Sequence, residues 1–301
     1  MNGSGVFALD FFRDMRTNPF LVTGLLAGLL ASVACGVVGP YVVTRRLVFL
    51  AGALAHIAIG GVGAAIFLAW AFPRAFGGLT ALAGGTAMAV ISAPILAFLH
   101  HRVRERLDTV VGALWAAGMA IGILLIKLTP GYHTELMSYL FGNLVFVGWR
   151  DIALLAVLAG AVVVVTVLYQ RRFLALCLDS EQATLRGISV LATDTVLLVL
   201  MALTVICLTQ IVGLVLVIAL MSLPAATAGR LVSRMASMIW VSVGLCALLV
   251  TAPRIAVYGT SISPEAAIVL AAVAVYLLVT LLTRLGIAGV GRRRAATGPP
   301  A

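Results

Sequence analysis

The chain has 301 residues, of which 63% are hydrophobic and only 10% charged, and its mean hydropathy is +1.18. These values exclude an ordinary soluble domain and describe a polytopic membrane protein. The formal charge of +10 comes from basic residues set between the apolar runs without interleaved aromatics, which is a positive-inside pattern rather than a nucleic-acid-binding one.

Residues 1–19 contain Asp10 to Asn18, with charges on one side and apolar residues on the other, the pattern of an interfacial helix that ends where Pro19 opens the first span. Apolar runs then follow near 20–42, 47–70, 78–99, 109–128, 151–169, 190–208, 210–229, 236–252 and 264–285. Each approaches or exceeds the roughly 20 residues needed to cross a bilayer. The expected fold is therefore all-α, a membrane helix bundle of about nine spans over 20–285, followed by an Arg-rich cytoplasmic tail, 286–301, read as disordered. Placing Arg45, Arg46, Arg102, Arg104, Arg106, Arg171, Arg172, Arg186, Arg230, Arg234, Arg284 and Arg292 to Arg294 in the cytoplasm sets the N-terminus outside. Gly24 and Gly28, at small-xxx-small spacing, predict close helix contact. Pro94 and Pro224 fall inside spans, where a bend can line a cavity or simply serve packing. Cys35, Cys207 and Cys246 lie in spans and Cys177 in a cytoplasmic loop, and all four read as packing residues.

His56 is the only titratable residue in the apolar stretch from Leu47 to Trp70. Hydrocarbon offers an imidazole no hydrogen bond, so His56 must find a partner, line a wet cavity or bind a ligand. Imidazole suits zinc, manganese and iron, which makes His56 the candidate metal ligand. In the outer loop from Pro130 to Trp149, His133 and Glu135 could add an N and an O donor, although an ordinary solvated pair is the simpler reading. His100 and His101 border a cytoplasmic loop and read as surface residues. Asp194 reads as a charge in the first turn of its helix, favoured by the helix dipole.

The loop from Arg171 to Ser189 is expected on the cytoplasmic side. Asp179 or Ser180 can cap a short helix through Glu181, Gln182 and Ala183, and Gly187 can end it. Such a helix between two spans is a handle for a partner. The single lysine, Lys127, follows Ile126, so no phosphate-binding loop is encoded, and no hydrolytic constellation appears. No enzyme activity and no resident cofactor are expected. Ion-coupled carriers usually need several intramembrane carboxylates, and the only acid this chain offers near a span interior is Asp194.

Four stretches together resemble the membrane subunit of bacterial ABC-type zinc, manganese and iron importers. They are Arg45-Arg46-Leu47 with Gly52, His56, Gly60 and Gly61; Gly131-Tyr132 through Leu136-Met137-Ser138 to Phe141-Gly142-Asn143; Asp179, Glu181, Ala183 and Gly187; and Val212-Gly213 through Leu223-Pro224-Ala225 to Ala228. The resemblance runs from Asn18 to about Leu285. It implies a type II importer-like permease in the bacterial inner membrane, forming a homodimer within the lipid. It also implies two copies of a cytoplasmic ATP-binding subunit and an extracytoplasmic metal-binding protein as partners. His56, Gly52, Gly60 and Asn143 would border the substrate pathway, and Asp179 to Gly187 would form the ATPase coupling helix. Many family members carry Asp one turn before the histidine, where this chain has Gly52. The choice among the three metals stays open. A self-sufficient secondary carrier or channel for a small solute is the alternative.

Overall fold

The computed structural model describes residues 11, 13–15, 17–102, 107–130 and 147–285. Among these, nine helices are long and apolar enough to cross a membrane. The elements are α1 (Pro19–Thr44), α2 (Val48–Ala71), α3 (Pro73–Phe76), α4 (Ala81–Arg102), α5 (Leu107–Leu128), α6 (Trp149–Leu178), α7 (Ser180–Leu185), α8 (Val190–Val212), α9 (Leu214–Leu231), α10 (Met235–Ala256) and α11 (Pro264–Arg284). The short α3, opened by Pro73, and the four-residue turn it makes are not visible in the hydropathy pattern.

The chain folds as two compact units. One contains α1, the first half of α6, and α9 to α11. There α1 lies against α10 through glycines: a Cβ on Gly36 would sit 2.6 Å from the Val243 Cα, and one on Gly28 would meet the Val250 side chain. The expected close packing through Gly28 is thus found. Cys246, buried in α10, donates its thiol hydrogen to the Leu220 carbonyl of α9 at 3.3 Å. Tyr258 follows α10, donates to Asp14 at 2.8 Å and meets the Phe11 ring edge-on at 5.2 Å.

The other unit contains α2 to α5, the last turns of α6, α7 and α8. Its centre is α2, where residues 50 to 63 are all buried. Burial all round matches a helix that is apolar on every face. Glycines permit this crowding: a Cβ on Gly60 would lie 2.8 Å from the Gly118 carbonyl oxygen of α5, and one on Gly118 would lie 2.7 Å from the Ile57 Cα. On the opposite contact Gly61 and Gly84 bring α2 against α4. Where lipid supplies no hydrophobic drive, such backbone-to-backbone approach gives the dispersion contact that holds helices together.

Two boundaries differ from the sequence expectation. α6 has 30 residues, so 171–178, read as loop, are its last turns, and Cys177 belongs to the helix. At 1.5 Å per residue the helix is about 45 Å long, well beyond a hydrocarbon core of roughly 30 Å. Arg171 and Arg172 end the apolar run but are good helix formers, so hydrogen bonding continues to Asp179. The break between the sixth and seventh apolar runs falls at Gly213, whose φ of 90° is open to glycine and costly for other residues. Pro94 and Pro224 lie within helices that continue through them, as does Pro40.

Candidate functional site

His56 sits two turns into α2 and is 8% exposed. Its Nδ1 lies 2.8 Å from the Gly52 carbonyl oxygen one turn earlier. A carbonyl only accepts, so Nδ1 carries the proton in this bond, and the lone pair of the neutral ring is on Nε2. A histidine ligating a metal is held in this way, one nitrogen donating to a carbonyl and the other presented to the ion. Gly52 thus acts through its backbone, where a side-chain ligand is absent. The Trp115 ring of α5 covers the imidazole, with centroids 4.4 Å apart and planes inclined at 36°, and Phe49 lies 5.7 Å from the same indole. Beyond Trp115, the face of α5 with Gly112, Ala116, Met119, Ala120 and Ile123 forms an open, largely apolar groove. Gly60 contributes by letting α5 approach, as described above.

Among the described residues no group of three or more His, Cys, Asp or Glu side chains could hold a metal ion. One imidazole with a free lone pair suits brief coordination of a passing ion better than retention. His133, Glu135 and Asn143 lie outside the described residues.

The short α7 is built as its sequence predicts. Asp179 is the N-cap, and its Oδ1 accepts from the Glu181 and Gln182 amides at 2.8 and 3.3 Å. At the other end Gly187, with φ of 76°, donates to the Thr184 carbonyl at 2.9 Å, and Ile188 donates to that of Ala183 at 3.0 Å. This pair of bonds is the Schellman arrangement, which requires a left-handed residue at the glycine position. Ala183 is the buried residue of the helix, whereas Glu181, Gln182 and Leu185 are exposed, and Ser180 is partly exposed. Leu185 is 87% exposed.

Sequence reasoning missed a second polar cluster. Asp194 is not a first-turn charge resting on the helix dipole. It lies in the second turn of α8, is 1% exposed, and accepts through Oδ2 from Arg45 Nη2 at 2.7 Å and from His101 Nε2 at 3.1 Å. Arg45 Nη1 also donates to the Leu176 carbonyl at 3.2 Å. His101 is therefore a partner of Asp194 rather than a plain surface residue. Its neighbour His100 is partly buried. His101 and Arg45 lie 93 and 149 positions from Asp194, so no local pattern could pair them with it. The available signal was that a carboxylate close to a span needs a partner.

The model of the ABC 3 transport family matches residues 17–283. The chain belongs to that family. A probable metal transport system membrane protein of Chlamydia muridarum is 35% identical over 222 residues, which is 74% of this chain and 75% of that protein. The manganese transport system membrane protein MntC of Halalkalibacterium halodurans is 28% identical, over 76% of this chain and 75% of the other. Among solved structures, PsaBC from Streptococcus pneumoniae in complex with Fab has a chain that superposes with a TM-score of 0.78 at 24% identity. The match covers 90% of this chain and 94% of that one, a likeness of fold. With nine apolar helices, this ABC 3 family chain is a multi-pass protein of the bacterial inner membrane and a permease subunit of an ABC transporter.

Proposed function

We propose that this ABC 3 family chain carries a divalent transition metal ion inward, with ATP hydrolysed by a separate cytoplasmic subunit. The observation that carries the reading is His56: a buried imidazole in an apolar helix, its Nδ1 engaged by Gly52 at 2.8 Å and its Nε2 lone pair able to coordinate. The names of the relatives, metal transport and manganese transport membrane proteins, support the same cargo class. A borderline divalent cation would exchange backbone and water oxygens for this nitrogen and leave again, because one nitrogen ligand holds it weakly. Zinc, manganese and iron all suit the site.

The working assembly in this reading is a homodimer of the chain in the lipid, two ATP-binding subunits below it and an extracytoplasmic metal-binding protein above it. The α7 segment, Asp179 to Gly187, docks the ATPase: a cap at each end fixes its limits, and it presents Glu181 and Leu185 outward. In the same reading His133 and Glu135 contact the ion at the outer entrance and Asn143 borders its pathway. The test is ATP hydrolysis by the complex of this chain with its ATPase subunit in proteoliposomes. Hydrolysis should rise when binding protein loaded with manganese, zinc or iron is added. Equal hydrolysis with loaded and empty binding protein would contradict the reading.

A further inference from the structure

Arg45 directly follows α1 and stands three residues before α2, the helix of His56. Its guanidinium reaches both flanks of α7 at once: the Leu176 carbonyl, three residues before the Asp179 cap, and the Asp194 carboxylate, five residues after the Ser189 cap of α8. His101, at the end of α4, shares the same Asp194 oxygen. Four segments are therefore tied together through the Arg45 guanidinium and the buried Asp194 carboxylate.

We propose that Arg45, Asp194 and His101 form the joint through which displacement of α7 is passed to α2 and so to His56; this rests on the reading of α7 as the ATPase-docking segment. Three features support it. The contacts are charge-assisted and shielded, with Asp194 1% and Arg45 15% exposed, so the joint is stiff. It can also re-pair: Asp194 Oδ1 and Arg45 Nε make no hydrogen bond among the described residues. As the segments slide, the guanidinium can pass from an end-on to a side-on arrangement without leaving a charge alone. Such a two-position element is what coupling between distant sites requires. Finally, a buried ion pair contributes no more to stability than apolar residues of the same volume, and this chain is rich in apolar residues. An ion pair buried here therefore points to a role beyond stability. From the start of α2 the signal travels about 12 Å along a rigid helix to His56.

The test compares the wild-type complex, Asp194→Asn and the double variant Arg45→Met/Asp194→Leu. Each is reconstituted with the ATPase subunit and binding protein and supplied in turn with radiolabelled manganese, zinc and iron. The double variant removes both charges together, so no unpaired ion is left buried and the complex assembles. The readout is metal imported per ATP hydrolysed. Both variants should continue to hydrolyse ATP while this ratio falls on the order of tenfold. A merely structural role would lower hydrolysis and import together, in step with the amount of complex, and leave the ratio at the wild-type value. A wild-type ratio in the double variant would overturn the joint. Absence of ATP-driven import by the wild-type complex would instead overturn the import reading, and the joint with it.

Discussion

Asp179→Ala removes the only side-chain cap of α7 and leaves the helix body untouched. Asp179 Oδ1 accepts two amide hydrogens, from Glu181 at 2.8 Å and from Gln182 at 3.3 Å. Helices this short are marginal on their own, because nucleation fixes several residues for each bond gained. Replacing an N-cap Asp by Ala costs about 1 kcal/mol, which at 25 °C is about a fivefold rise in the open fraction. Hydrogen exchange of the complex in detergent or nanodisc should therefore show amides 181–185 exchanging about fivefold faster, with α2 and α10 unchanged. Asp179→Asn should exchange nearly as the wild type, since the amide oxygen still caps. Equal exchange in Asp179→Ala and wild type would refute the reasoning, because α7 would then be held by contacts other than its cap.

Gly187→Ala places a Cβ at a φ of 76° and should cost about 1–2 kcal/mol, seen as faster exchange at the other end of the same helix. Gly118→Leu drives a side chain into the α2 backbone, 2.7 Å from the Ile57 Cα at its first atom. The expected penalty is about 1–3 kcal/mol or more, read as a lower midpoint for thermal unfolding of the purified chain in detergent. His56→Ala should abolish most import while the complex assembles at wild-type yield, and normal import would remove His56 from the pathway. Glu181→Arg should weaken association with the ATPase subunit in co-purification from membranes, and wild-type association would free α7 of its docking role.

The spans were legible because each is an uninterrupted apolar run of nearly bilayer length, and the caps of α7 were legible because Asp179 and Gly187 act on neighbours two to four residues away. Where the sequence misled, the cause was a signal of the wrong kind. Hydropathy ended the fifth span near residue 169, yet α6 continues to Leu178 because Arg171 and Arg172 alter polarity without interrupting backbone hydrogen bonds. Conversely, hydropathy separated the sixth and seventh runs at Thr209, whereas the chain breaks at Gly213 because of backbone conformation. His56 was legible as an anomaly, a lone imidazole in an apolar helix. Its setting was not, because Trp115 comes from another span and the Gly52 carbonyl leaves no trace in side-chain chemistry. Asp194, Arg45 and His101 each looked ordinary alone. Only the fold, by bringing the turn before α2 together with the ends of α4, α6 and α8, makes a cluster of them.

The most direct measurement is accumulation of radiolabelled manganese, zinc and iron in proteoliposomes containing this chain, its ATPase subunit and its binding protein, with and without ATP. The account predicts accumulation of at least one of these metals that requires ATP and both partners, and that is lost in His56→Ala. Accumulation by this chain alone, driven by an ion gradient and indifferent to ATP, would contradict it.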